Sequence, residues 1–242
     1  MPVKIYSYVL RFDDGAAPNP FWGWCTLTIC KPYIRKMAKD GDWIIGTGSK
    51  NTCLKDGFVY DLSDTLVYAM KVTRSISLEK YDEHCKKYIP GKIPKWPSKD
   101  FRRLVGDSVI DFKNKKQPSR LSVHNLPNMN PLLVAKLRET DLKGKNALLS
   151  NHFYYFGEEP RTIPIEMQAL IKKGRGHKIL RDGNLIKKFE DWISQFDINK
   201  IYADPQLKYS FSSKDDCIIS CSIRNEIELT ESIDYFNDEI SK

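Results

Sequence analysis

The sequence contains no run approaching the ~18 consecutive apolar residues of a membrane helix. Its opening stretch, Met1 to Tyr8, is interrupted by Lys4 and Ser7 and lacks the apolar h-region of a secretory signal. Cysteine is scarce and irregular: residues 25, 30, 53, 85, 217 and 221 of 242. That excludes a disulfide scaffold and points to reduced, mostly buried thiols in a cytoplasmic chain without a membrane partner. Neither Cys25/Cys30 nor Cys217/Cys221 has the two-residue gap of a zinc knuckle, and the four histidines do not fall at ligand spacing. No metal site is expected. The His-x-Glu and Pro-Cys-x-x-Cys signature of nucleobase deaminases is missing, as is a Gly-x-Ser-x-Gly elbow. Gly46 and Gly48 precede Ser49-Lys50-Asn51, which breaks the order and spacing of a Walker loop and speaks against nucleotide hydrolysis. No cofactor-binding motif remains.

What the chain does have is apolar residues enough for a core (41%, with 12% aromatic) and a positive charge of +8. The charge is uneven. Residues 215–242 carry eight acids and two bases, leaving 37 bases against 23 acids, net +14, in residues 1–214. The stretch 86–145 alone has 15 bases and five acids. A concentrated positive field attracts polyanions, of which nucleic acid is the commonest in a cell. The competing reading is a lysine-rich solvated surface, since lysine outnumbers arginine and no tight basic block occurs.

Residues 3–12 are rich in β-branched and aromatic types and predict a buried first strand. The loop 13–20 contains Gly15, Pro18 and Pro20, which rule out regular structure. Leu27 to Ala38 has helical spacing, with Pro32 in a first turn. Asp40-Gly41-Asp42 reads as a turn before a strand at Trp43–Gly48; Thr65–Thr73 reads as a second strand, and Ser77 as the cap of a helix reaching Cys85. The segment 86–127, broken by five prolines, is expected to be an insert ordered by packing or by a ligand, with a strand at Ser108–Phe112. A helix is predicted over Asn130–Asp141, strands over Ala147–Ser150 and Phe153–Phe156, and helices over Pro164–Lys172 and Leu185–Phe196. The irregular mixture, without a βαβ alternation or an internal repeat, indicates an α+β fold: a small curled sheet with helices around it.

Aromatic residues lie beside cations. Phe21, Trp22 and Trp24 follow the proline loop, Trp43 precedes the Gly46-Thr47-Gly48 turn, and 152–157 is a second aromatic block. Lys31, Arg35, Lys50, Arg161 and the run Lys172-Lys173-Gly174-Arg175-Gly176-His177-Lys178 flank these elements. Rings stack on bases and cations hold phosphates, although most such rings are expected to be core. Asp13 and Asp14 suit either a cation or a turn shaped by side-chain to backbone bonds.

The strings Ile5–Arg11, Asp14–Phe21, Cys25–Leu27, Cys30–Arg35 and Gly41–Ser49 resemble the family named nucleotide modification associated domain 2. Ser150–Gly157 and Gly174–His177 resemble it too. The resemblance runs over nearly the whole chain. It implies a bacterial or phage protein linked to DNA base modification or phage defence, and a fold similar to the PUA, ASCH and EVE group of small β-barrels, spanning residues 1–242 as one domain. It carries no catalytic set across.

On this reading the chain is a nucleic-acid-associated domain that accepts a nucleobase, modified ones included, in a PUA-like barrel. The expected base contacts are Arg11, Asn19, Trp24, Thr26, Lys31, Arg35 and Trp43, with Trp24 and Trp43 as stacking platforms. Arg175, His177 and Lys178 are expected on phosphates. Partners would be DNA, RNA or a free nucleotide, with a protein of a modification or defence system as a further one. The alternative is an enzyme on nucleotides or nucleic acid — a transferase, glycosylase or nuclease — using Asp13, Asp14, His124, His152 or Glu158. A third reading is a protein-interaction module. The residues favour binding over catalysis.

Overall fold

The computed structural model describes residues 2–207 other than 55 and 57. The acidic segment 215–242, with Cys217 and Cys221, lies outside the described residues. In chain order the elements are β1 (Ile5–Val9), β2 (Cys25–Leu27), α1 (Pro32–Met37), β3 (Trp43–Thr47), β4 (Thr52–Cys53), β5 (Val59–Tyr60), β6 (Thr65–Lys71) and β7 (Arg74–Ser77). Then come α2 (Leu78–Tyr88), α3 (Phe101–Leu104), α4 (Pro131–Lys143), β8 (Asn146–Ser150), β9 (Phe153–Tyr155), β10 (Arg161–Thr162), β11 (His177–Leu180), α5 (Gly183–Ile193) and β12 (Lys200–Ile201). Short 3-10 turns at Pro90–Lys92 and Ile165–Leu170 complete the set.

The main sheet has the strand order β11-β1-β3-β6-β9-β12, with β10 added to β6. β1 and β3 run parallel, Ile5 opposite Trp43 and Val9 opposite Thr47. β11 is antiparallel to β1. A second sheet has the order β2-β8-β7. The chain passes between the two sheets four times, from β1 to β2, β2 to β3, β6 into β7 and β8 into β9, the last two at short connections. These short connections are tied by Lys71 N donating to the His152 carbonyl (2.9 Å) and by the Ser150 hydroxyl donating to the Lys71 carbonyl (2.6 Å). The fold is thus mixed α/β, as the mixture of patterns required. It is not a closed barrel: among the described residues β11 and β12 each pair on one side only, so no ring of ladder bonds forms.

The main sheet is buried on both faces, and alternate residues go to alternate cores. Ile5, Trp43 and Ile45 pack with Tyr154, Leu170, Ile186 and Phe189 under α5. Tyr6, Tyr8 and Ile44 pack with Cys25, Leu27, Ile34 and Leu148 under the second sheet and α1. Helix α5 starts at Asp182, whose carboxylate accepts from the Asn184 and Leu185 amides, and it places Leu185, Ile186, Phe189 and Ile193 on one buried face.

Several boundaries differ from expectation for identifiable reasons. The predicted helix over Leu27–Ala38 begins only at Pro32, because Cys30 and Lys31 take left-handed backbone (φ 56° and 40°) and Leu27 belongs to β2. Ser108–Phe112 is no ladder strand; it makes one isolated bridge, Ile110 with Ser119. The insert is nonetheless ordered by packing: Leu104, Val105, Val109, Ile110 and Val123 form one apolar cluster with Ala16, Phe21 and Ile29. The predicted helix over Pro164–Lys172 is a 3-10 turn. The basic segment around His177 is strand β11. No helix among the described residues is long and apolar enough to cross a membrane.

Candidate functional site

β1 and β3 are parallel neighbours, so their C-terminal ends open on the same side of the sheet. The chain beyond each lines one cavity of about 990 Å³: Val9 to Phe12 after β1, and Gly48, Ser49 and Lys50 after β3. The antiparallel β11 begins at that same end, and the turn leading into it, Lys172 to Gly176, forms another wall. Gly174 and Gly176 adopt φ of 74° and 84°, a left-handed backbone that costs glycine little. Ala16, Ala17, Ile29 and Val123 contribute an apolar side.

Six cations line this cavity (Arg11, Lys31, Lys50, Lys172, Lys173 and Arg175) against two acids, Asp14 and Asp64. Burial lowers the His177 pKa, and nearby Lys31 and Lys172 lower it further. Lys178 is lowered by burial and then by Lys172 and Lys173. Cations held this close to one another favour an anion between them.

Two of the acid–base candidates also reach the cavity. Asp14 lies in its wall, with one carboxylate oxygen accepting from the Ala16 amide at 2.9 Å. Burial raises its pKa, and the field of His124 opposes the rise. The His124 Nε2 stands 2.8 Å from Asp141 Oδ2. Asp141 is itself fixed by the Cys30 amide (2.7 Å) and lies 3.7 Å from Arg35. A buried carboxylate that orients an imidazole at a cavity wall is an arrangement able to move a proton.

The other expected site residues go elsewhere. Trp43 is 1% exposed; its indole N–H donates to Glu190 (2.9 Å), and Phe189 and His152 pack edge-on against it. No ring face is left for a base, so the stacking role is withdrawn. Trp24 packs beside Leu78 and Tyr81 away from the cavity, and its carbonyl accepts from Lys92. Arg35 is fully buried and spends its guanidinium on the carbonyls of Cys30, Asp141 and Asn146. Asn19 and Thr26 belong to a buried polar knot around Lys92. The three N–H groups of the Lys92 ammonium are shared among four acceptors within 2.8 Å: the Asn19 carbonyl, Asn19 Oδ1, the Trp24 carbonyl and the Thr26 hydroxyl. Thr26 in turn donates to Asp107 at 2.5 Å, as Tyr81 does at 2.6 Å. Burial pushes Lys92 down to about 8 and Asp107 up, yet both stay satisfied by the hydrogen bonds around them. This knot fastens the insert to the 13–27 loop and has no opening to a base.

Asp13 is held in the core by the Tyr155 hydroxyl (2.5 Å). His152 lies against Trp43 and Tyr154, and the Glu158 amide donates to the Asp204 carbonyl. None of these three lines the cavity. Lys178 does not line it, and His177 flanks it next to Gly176. Among the described residues no group of three His, Cys, Asp or Glu side chains could hold a metal ion.

Lys50, Lys172 and Lys173, expected among the basic residues that flank the aromatic elements, line the cavity as well. Their signal in the sequence was position, a lysine just past glycines at a strand end or beside a Gly-x-Gly turn. Gln168 and Asp64 had no such signal.

A family model described as "Nucleotide modification associated domain 2" matches residues 2–214. The chain belongs to the nucleotide modification associated domain 2 family. The match takes in every wall of the cavity, from Val9 to Gly176. Comparison with curated proteins and with solved structures finds no match. The family's name suggests a nucleotide-modification-associated role for this member.

Proposed function

We propose that this family member binds a nucleotide in the cavity at the ends of β1 and β3, its phosphate on the cationic wall and its base against the apolar side. One observation carries the reading: six cations against two acids around a single cavity of about 990 Å³. Ligand clefts run to about 300–1,000 Å³, so the space suffices for a nucleotide and a neighbouring group. Lys172, Lys173 and Arg175 hold phosphate oxygens, with Lys50 and Lys31 facing them. Asp14 and Gln168 offer polar edges to a base beside Ala17, Ile29 and Val123. A base reaches such a cavity either as a free nucleotide or by leaving a nucleic-acid stack, at a cost of a few kcal/mol. The setting we propose is DNA modification or defence, where a domain that distinguishes modified from ordinary bases has a use.

Calorimetric titration at low salt with deoxynucleoside monophosphates, ordinary and base-modified, tests the proposal. Lys50→Gln or Arg175→Gln should weaken binding about 10- to 150-fold, the worth of one charge-assisted contact. Asp14→Asn should alter the order of preference among bases. Absence of binding to any of them, or binding untouched by all three substitutions, would falsify the assignment of this cavity.

The oriented His124–Asp141 pair supports a second reading, an enzyme acting on the bound nucleotide. Turnover that disappears in His124→Ala while binding persists would put this reading first.

A further inference from the structure

Beside the cavity mouth stands a feature that a free nucleotide would not use. Lys31 lines the cavity, and two residues on, Tyr33 opens the first turn of α1 to solvent, 50% exposed. Its ring stacks on His177, the residue after the cavity-lining Gly176, with centroids 4.7 Å apart and planes 28° from parallel. One face of Tyr33 is therefore backed by an aromatic ring, which fixes the plane, while half of its surface is bare. Lys36 and Met37, three and four positions along, lie on the same helical face and are also exposed. α1 contains no acidic residue. The rim thus presents a positioned ring with cations on both sides: Lys31 toward the cavity and Lys36 away from it.

We propose that the nucleotide in the cavity is part of a single strand, and that the Tyr33–His177 pair is the stacking platform for its neighbour. This rests on the nucleotide reading of the cavity and adds to it the class of ligand, single-stranded nucleic acid. Base–ring stacking on such platforms tolerates any base, because every base has a π-face, and the phosphates between stacked bases follow the nearby cations. Burial, with Lys31 and Lys172 nearby, lowers the His177 pKa, so the ring that backs Tyr33 adds no charge of its own near neutral pH. A duplex cannot lay an unpaired base on the ring without melting, so the platform selects against it.

Fluorescence anisotropy with 5′-labelled pentanucleotides of DNA and of RNA, the matching duplex and a labelled mononucleotide tests this on the full chain. The expected result is a pentanucleotide bound at least tenfold tighter than either the mononucleotide or the duplex. Tyr33→Ala should weaken the pentanucleotide about 5- to 100-fold and leave the mononucleotide within twofold. Tyr33→Phe should keep the wild-type pattern. An unchanged thermal midpoint in Tyr33→Ala shows that the fold is intact, as expected for a half-exposed side chain. Equal affinity for strand, duplex and mononucleotide, or a Tyr33→Ala effect of equal size on strand and mononucleotide, overturns the platform. A strand-specific Tyr33 effect with no mononucleotide binding keeps the platform and removes the cavity reading. Mononucleotide binding lost in Lys50→Gln but strands indifferent to Tyr33 does the reverse. The DNA and RNA arms then show which sugar the strand carries.

Discussion

Asp13 and Asp14 are adjacent in sequence and have opposite surroundings. Asp14 borders the cavity. Asp13 is sealed in the core, where burial outweighs the hydrogen bond from Tyr155 and pushes its pKa from 3.8 up to about 7. The folded chain therefore holds a proton on Asp13 between pH 3.8 and 7 that the unfolded chain has released. Stability from this group is full below pH 3.8 and falls as pH rises through 7. Asp13→Asn, which keeps the size and supplies a neutral amide, should flatten that fall and raise stability near pH 8, on the order of 1–3 kcal/mol. Denaturant midpoints of both proteins at pH 5 and pH 8 check it; parallel losses in the two would contradict the buried-carboxylate account. Lys92 and Arg35 show the same principle satisfied differently. Each buries a cation, Lys92 among carbonyl oxygens and the Thr26 hydroxyl and Arg35 among backbone carbonyls, which keep them in place.

Among elements, the segment 86–127 serves two places: it supplies Val123 and His124 to the cavity wall, and Lys92 and Asp107 to the buried polar knot with Asn19 and Thr26. Its path folds closely on itself at Gly106, where a Cβ would lie 2.6 Å from the Pro94 nitrogen and 2.7 Å from the Lys92 carbonyl oxygen. Both obstacles are backbone and cannot swing away. Gly106→Ala should cost about 1–3 kcal/mol, the usual penalty of overpacking, and should pull the Lys92 knot out of register. Urea unfolding measures the first effect, and weaker nucleotide binding at a temperature where the variant is folded measures the second. The segment was expected to be ordered by packing or by a ligand, and packing accounts for it: its spaced apolar residues, Leu104, Val105, Val109, Ile110 and Val123, form a small core against Phe21 and Ile29.

For the whole molecule, the uneven charge of the sequence acquires a location. The stretch 86–145 carries 15 bases, yet all six lysines and arginines of the cavity come from outside it: Arg11, Lys31, Lys50, Lys172, Lys173 and Arg175. Binding of a single strand should fall with salt in proportion to the phosphates these residues neutralise. The triple substitution of Lys172, Lys173 and Arg175 by Gln should reduce the slope of log K against log salt by up to about 2, since each single-strand phosphate contact contributes ~0.7. Removing three charges from the 86–145 surface, Lys113, Lys115 and Lys116, should change it far less. A slope that responds equally to both triples would mean a diffuse field rather than a site.

Elements with strong local signals were legible before the fold was known. Trp43–Thr47, Thr65–Lys71 and Phe153–Tyr155 form strands because alternating and β-branched apolar residues suit a sheet buried on both faces. Ser77 and Asn130-Pro131 start helices because the cap chemistry is local. Family membership was legible in the same strings. Which polar residues face the ligand was decided only by tertiary structure. Arg35, Asn19, Thr26 and Trp43 look in sequence like Arg11 and Lys31 do, polar or aromatic residues near glycines and prolines. Partners more than seventy residues away, Val105, Asp107, Asp141 and Glu190, draw the first group into the interior. A buried hydrogen bond satisfied across such a separation leaves no mark on the local pattern, so only the folded chain separates a core network from a ligand wall.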